Sequence, residues 1–360
     1  MRFAIVLGTR PEIIKMSPII RALEWGARDY FILHTGQHYD YEMDGAFFEE
    51  LSLPEPDYNL GVGSGSHAEQ TGKIMTGVEA VLMKEKPDIT LVQGDTNTVL
   101  SAAIVAAKLQ LPLGHVEAGL RSWDRRMPEE INRIVADHVS DFLFAPTEVS
   151  MANLLKEGLP ETIIHVTGNT VVDAVQQNMA LASEKSRAIQ KLGLEDGGFF
   201  LVTLHRAETV DDKYRIKDVF TALKKLRREH GVPVVFPMHP RTQKMVGAFG
   251  LSSVGIKAMF PVGYLDFLTL LSNCKLVLTD SGGVQEESCV LRVPCVTLRE
   301  NTERPETVEV GSNIVSGTSP DRVAVAVDQM LARSRDWLNP YGDGESGKRI
   351  IRIIEERMEK

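Results

Sequence analysis

Lys275-Leu276-Val277-Leu278-Thr279-Asp280-Ser281-Gly282-Gly283-Val284-Gln285-Glu286-Glu287 decides how the chain is read. An apolar, β-rich run ends at Thr279, a polar turn with two glycines follows, and Val284 to Val290 reads as helix. The first amides of a helix lack internal partners and lie at the positive end of its dipole. Ser281, Gly282 and Gly283 therefore suit an anion, phosphate above all. Glu287, one turn further in, is placed to accept hydrogen bonds from ribose hydroxyls. The same residues also suit an ordinary helix cap with Asp280 or Ser281 at the N-cap, and only the rest of the chain separates the two readings.

The same pattern recurs on both sides of this stretch. Phe199 to Leu204 ends in His205-Arg206, Val234 to Phe236 ends in Pro237-Met238-His239, and Pro294 to Leu298 ends in Arg299-Glu300-Asn301. In the first half, Phe3 to Leu7 breaks at Gly8-Thr9-Arg10-Pro11-Glu12, ahead of a helix carrying Ile13, Ile14, Met16, Ile19 and Ile20. Phe31 to Thr35 leads into the loop Gly36 to Asp40, and Asp88 to Val92 into Gly94-Asp95-Thr96 and an alanine-rich helix. Pro112 to Val116 leads to Glu117, Pro128-Glu129-Glu130 opens another helix, and short strands follow at 142–145 and 163–166. Strands that alternate with helices specify parallel, doubly wound sheets. The expected architecture is α/β: two Rossmann-like domains facing across a cleft, residues 1–170 and 171–340, with a helix at 341–360 that follows the turn cluster Asn339 to Gly344 and returns to the first domain. Gly61 to Ser66 superficially resembles a nucleotide fingerprint, but no strand precedes it in register, so it reads as a loop.

A chain of 360 residues suits two domains of about 150 each. Its hydrophobic content of 43% and charged content of 25% are those of a soluble globular protein. No apolar run reaches the roughly 20 residues of a membrane span, and the N-terminus enters a strand without a basic leader, so the expected location is the cytoplasm. A net charge of −9 disfavours nucleic acid and anionic membranes as partners, so the positive field for an anionic ligand has to be local. Cys274, Cys289 and Cys295 lack zinc spacing, and an odd number argues against a disulfide framework. They read as buried packing residues.

In open α/β sheets ligands sit at the carboxyl ends of the strands, where this chain collects Arg10, His34, Asp95, Glu117, His205, His239, Ser281, Gly282, Gly283 and Arg304. Each has an ordinary explanation. Asp95 suits a helix N-cap, Glu129 and Glu130 suit a helix dipole, and a histidine after a strand is more often packed or exposed than catalytic. Their coincidence at strand after strand is what points to a site. There is no Gly-Lys-Ser/Thr phosphate loop, no glycine fingerprint followed by a ribose-binding acid and no metal triad, so neither ATP hydrolysis nor hydride transfer is indicated, and no cofactor or metal is expected. A nucleotide-diphosphate substrate whose other half meets Asp95, Glu117 and Glu129 is what remains.

Gly8-Thr9-Arg10-Pro11-Glu12-Ile13-Ile14-Lys15, Gly94-Asp95-Thr96, Gly114 to Arg121, Pro128-Glu129-Glu130, Thr167-Gly168-Asn169-Thr170, Thr279 to Glu287, Thr302 to Glu306 and Asn339 to Gly344 together resemble the non-hydrolysing UDP-N-acetylglucosamine 2-epimerases, in order and along essentially the whole chain. The resemblance implies interconversion of UDP-N-acetylglucosamine and UDP-N-acetylmannosamine without added NAD or metal, by a homodimer that supplies UDP-N-acetylmannosamine for surface polysaccharide or glycan synthesis. UDP would be eliminated to give 2-acetamidoglucal and would then return to C1 as a proton reaches the other face of C2.

Position by position, the resemblance makes Asp95, Glu117 and Glu129 the acid/base and charge-stabilising groups and His205 the stabiliser of the leaving diphosphate. Arg10, Lys15, Arg304 and the amides of Ser281, Gly282 and Gly283 would help hold that diphosphate, Glu287 would hold the ribose, and Phe267 would lie near the uracil. Bacterial members also bind a second UDP-N-acetylglucosamine as an activator, and Gln37, Arg206 and His239 match that allosteric site. Asp40 stands where the bacterial loop usually has a second glutamine, and Arg206-Ala207 where two arginines are usual.

Overall fold

The computed structural model describes residues 1–37 and 41–358, with the backbone alone for 41–44. Asp40, on which the comparison with the bacterial loop turns, lies outside the described residues along with His38 and Tyr39. The chain divides into two compact units. One comprises Met1–Gln177 and Tyr341–Lys360, and the other Asn178–Pro340.

The first unit carries β1 (Arg2–Leu7), β2 (Asp29–His34), β3 (Tyr58–Asn59), β4 (Ile89–Gln93), β5 (Leu113–Val116), β6 (Phe142–Ala145) and β7 (Ile164–Val166). They form one sheet in the order β3-β2-β1-β4-β5-β6-β7, parallel throughout. The second unit carries β8 (Phe200–Thr203), β9 (Val234–Pro237), β10 (Lys257–Met259), β11 (Leu276–Thr279), β12 (Cys295–Thr297) and β13 (Asn313–Val315). Its order is β10-β9-β8-β11-β12-β13, again parallel.

Burial on both faces explains why the central strands read as continuous apolar runs. In the second unit Phe200, Val202, Leu276 and Leu278 enter one core with Phe220, Leu223 and Val327. Phe199, Leu201 and Val277 enter the other with Leu270, Leu271 and Cys295. Alternate side chains of a strand point to opposite faces, so both sets have to be apolar. The three cysteines are free and buried in this unit. In the first unit Ala4, Val6, Phe31, Leu33 and Val92 meet the helices His67–Glu85 and Asn97–Lys108 through Ile74, Val78, Val99 and Ala103.

The last helix, Ser346–Met358, lies in the first unit, and its Glu355 carboxylate accepts from Arg28 Nη2 at 2.9 Å. The turn before it is held by the Asn169 amide, which donates to the Tyr341 carbonyl at 2.8 Å. Among the described residues no helix is long and apolar enough to cross a membrane.

Strand order reverses between β1 and β4 in one sheet and between β8 and β11 in the other. At such a switch point the connections leave in opposite directions and open a crevice at the carboxyl ends of the strands. The turns after β1, β4, β8 and β11, with the first residues of the helices that follow, carry Arg10, Asp95, His205 and Ser281 to Gly283.

Candidate active site

In the first unit β5 ends at Val116, and Glu117 follows with φ of +69°, a conformation that costs a non-glycine residue energy and persists where its surroundings over-determine it. Its carboxylate is buried. Lys15 Nζ donates to Oε2 at 2.6 Å and Gln93 Nε2, from the end of β4, donates to the same oxygen at 2.5 Å. Lys15, expected at a diphosphate, therefore reaches a carboxylate of its own unit.

Asp95 does not cap the helix Asn97–Lys108. Thr96 does, accepting from the Val99 amide. The Asp95 carboxylate pairs with Arg133, which also donates to Glu130 at 2.7 Å, and the Asp95 side chain keeps 32% of its surface exposed. Glu129 stands half-buried at the second position of the helix Pro128–Val139, with no hydrogen-bond or ion-pair partner among the described residues. Arg10 opens the helix Arg10–Trp25, and its guanidinium lies over the Phe47 ring, 5.7 Å from the centroid. Behind it Glu12 accepts from the Gly8 and Thr9 amides, both at 2.7 Å, and from Thr96 Oγ1 at 2.5 Å. Burial outweighs these donors and pushes its carboxyl up to about 7.

In the second unit the helix after β11 is Gly282–Val290, with Ser281 at its N-cap. The Ser281 amide donates to Thr279 Oγ1 at 2.9 Å, so it is engaged within the turn. Of the three amides expected to face an anion, those of Gly282 and Gly283, the first two of the helix, are the ones its geometry leaves without an internal acceptor. Asp280 is not the cap. It turns back to β8, accepting from the His205 and Arg206 amides at 3.0 and 2.9 Å and approaching His205 Nδ1 at 3.1 Å. Burial alone would raise the Asp280 carboxyl, but His205 and these amides hold it below its ordinary range. His205 itself stays 40% exposed in its side chain, tethered and accessible.

Arg304 pairs with Glu286. Beside it Glu303 receives Arg299 Nη1 at 2.8 Å and Arg206 Nη2 at 3.3 Å. Burial opposes ionisation of Glu303, but Arg304, Arg299 and Arg206 outweigh it and bring the carboxyl down to about 2. Glu287 accepts from Tyr264 Oη at 2.9 Å. Phe267, one turn beyond Tyr264 on the helix Tyr264–Asn273, is half-buried against the core that contains Leu270 and Leu271.

The residues matched to an activator site fall in different units. Gln37 accepts from Thr98 Oγ1 at 2.9 Å in the first. In the second, Arg206 pairs with Glu303, and His239 caps the helix Pro240–Ala248, its ring 6.1 Å from that of His205. In the sequence neither Asp280 nor Arg133 stands out as a site residue, because a cap at a strand end and a helix-face arginine are ordinary at those positions. Tyr264, three residues before Phe267, carried the one usable signal, helical spacing.

The family model for UDP-N-acetylglucosamine 2-epimerase matches residues 22–355. The chain is similar to the UDP-N-acetylglucosamine 2-epimerase of Methanocaldococcus jannaschii, with 55% identity over 361 residues that cover 98% of this chain and 99% of that one. A crystal structure of the Methanocaldococcus jannaschii UDP-GlcNAc 2-epimerase in complex with UDP-GlcNAc and UDP matches with a TM-score of 0.93, covering 99% of this chain and all of that one. The chain is also 42% identical, over 98% of its length and 99% of the relative's, to a UDP-2,3-diacetamido-2,3-dideoxy-D-glucuronate 2-epimerase of Pseudomonas aeruginosa. With two parallel α/β units, acids after β4 and β5 and an anion-ready turn after β11, the chain belongs to the UDP-N-acetylglucosamine 2-epimerase family.

Proposed function

We propose that this enzyme interconverts UDP-N-acetylglucosamine and UDP-N-acetylmannosamine, acting as a homodimer whose product feeds surface polysaccharide or glycan assembly. The observation that carries the reading is the 55% identity, along nearly the whole chain, to a relative of that name; within the units, cation-held carboxylates at Asp95 and Glu117 and the Gly282-Gly283 turn support it. The turn takes the diphosphate with Arg304 and His205, Glu287 and Phe267 take the uridine, and the carboxylates take the sugar.

The C2 hydrogen of the sugar is weakly acidic, so departure of the stabilised diphosphate leads. The C1–O bond to phosphate breaks with its electron pair going to UDP, and positive charge builds near the ring oxygen. A carboxylate removes the C2 proton, giving 2-acetamidoglucal with a C1–C2 double bond. UDP then adds back to C1 as a carboxylic acid delivers a proton to the opposite face of C2. Inversion needs acid/base groups on both faces, which Asp95, Glu117 and Glu129 supply from three different positions of the first unit.

The test is incubation with UDP-N-acetylglucosamine alone in deuterated water. Deuterium at C2 in both epimers, with no free N-acetylmannosamine, is the expected result. Epimerisation without C2 deuterium removes the elimination route, and accumulation of free sugar with UDP makes the enzyme a hydrolase. Likeness to the Pseudomonas relative favours one further assay, with a UDP-linked 2,3-diacetamido uronate as substrate.

A further inference from the structure

We infer that the helix Pro128–Val139 is the frame that holds the sugar-side carboxylates, and that Asp137 is its chief positioning residue. Asp137 is wholly buried. Its Oδ1 receives His115 Nδ1 at 2.6 Å, and its Oδ2 receives Arg121 Nη2 at 2.7 Å and the Gly119 amide at 3.2 Å. His115 passes the tether on, because its Nε2 donates to the Gly94 carbonyl at 2.8 Å.

Both loops that carry an acid are thereby fixed from one oxygen pair. Glu117 lies between His115 and Gly119, so its φ of +69° is pinned on either side. Gly94, with φ of +86°, is the residue before Asp95, so the carbonyl held by His115 sets the peptide plane from which Asp95 departs. The same helix reaches Asp95 twice more, through Asn132 Nδ2 on its carbonyl at 2.9 Å and Arg133 on its carboxylate. Glu129 stands on its first turn. Reaction rates depend steeply on placement within a fraction of an ångström, so a device of this kind acts on turnover rather than on affinity.

The His115 ring lies between the Asp137 carboxylate on one side and the Gly94 carbonyl on the other, so one imidazole ties the two loops to the helix. Burial works to raise the Asp137 carboxyl, yet His115 and Arg121 hold it below its usual range, which keeps it an acceptor for all three donors.

The inference rests on the proposed role of Asp95, Glu117 and Glu129, and two measurements on the full chain separate the two. In Asp137→Asn the new amide has to face one of the three donors, and kcat for C2 exchange is expected to fall at least 100-fold, with KM for UDP-N-acetylglucosamine within threefold. Asn132→Ala, a milder cut of the same frame, is expected to lower kcat at least tenfold at unchanged KM, and it decides the matter if Asp137→Asn does not fold. Near-normal kcat in a folded Asp137→Asn or in Asn132→Ala, or KM rising in step with the loss of kcat, overturns the frame. A wild type that shows no C2 exchange instead removes the proposed reaction.

Discussion

Lys15 Nζ donates to Glu117 Oε2 across 2.6 Å, and both side chains are almost fully buried, at 9% and 4% exposed. Removing one partner of such a pair leaves an uncompensated charge, whereas replacing both is close to neutral. Glu117→Gln is expected to cost about 3 kcal/mol of stability and at least 100-fold in kcat. Lys15→Met combined with Glu117→Gln is expected to regain most of the melting temperature and none of the turnover. Asp95→Asn, at a third-exposed carboxylate, is expected to lose turnover with little change in melting. Thermal melts beside steady-state rates check all three, and a double variant that regains turnover would show that Glu117 serves only the fold.

The first turn of the helix Gly282–Val290 separates space from affinity. A Cβ at Gly282 would lie 2.9 Å from Glu303 Oε1, an atom held in place by Arg206, while one at Gly283 would meet, among the described residues, only Ser281 Oγ, at 3.9 Å. Gly282→Ala is expected to lower the melting temperature, and Gly283→Ala to leave it unchanged or slightly raised, since alanine favours a helix by up to about 1 kcal/mol over glycine. Both are expected to weaken UDP binding at least tenfold by calorimetry, because the bound phosphate needs the close approach that glycine permits. Wild-type affinity in Gly283→Ala would mean that the diphosphate sits elsewhere.

Which parts of this were readable in the chain follows from burial. β1, β4, β8 and β11 are covered on both faces and end in polar turns, so their apolar runs and their ends both stand out. β3, β10 and β13 are not legible in the sequence: each has two or three residues and lies at a sheet edge, too short for a period to show, and β7, equally short, stands out only through the apolar pair Ile163-Ile164. At the candidate site, strand-end position alone brought out Asp95, Glu117 and His205. Their partners were harder to see. Lys15 meets Glu117 across 102 residues of sequence and Arg133 meets Asp95 across 38, separations that no local pattern records. The roles of Asp95 and Asp280 were ambiguous because both types cap helices well, and the ambiguity ends only when Thr96 and Ser281 are seen to do the capping.

The cysteines give a chemical check on the second core. Burial pushes the Cys289 thiol up to about 11 and the Cys295 thiol up to about 12, and Cys274 is raised as well. A thiol reacts through its thiolate and needs access, so native protein is expected to show no reaction with Ellman's reagent at pH 8 over minutes, and three equivalents once unfolded. Rapid labelling of one thiol in the native state would mean that the β11–β12 core opens.

Glu303 gives the second unit a share of stability that depends on pH. Its carboxyl, ordinarily near 4.5, is brought down to about 2, because Arg304, Arg299 and Arg206 overcome the cost of burial. A group depressed in the folded state binds protons more readily when unfolded, so its contribution is fully present above pH 4.5 and is lost as pH falls toward 2. The shift corresponds to about 3 kcal/mol, at about 1.4 kcal/mol per pH unit. Unfolding free energy from urea titrations is expected to drop by that order between pH 4.5 and 2.5, on top of the losses from other carboxylates. Glu303→Gln is expected to be less stable at pH 7, where it leaves Arg299 and Arg206 without their shared acceptor, and to fall less steeply across the acid window. Equal slopes in the two proteins would mean that the arginines around Glu303 do not hold its proton off, and that the turn bearing Arg304 is fixed by Glu286 instead.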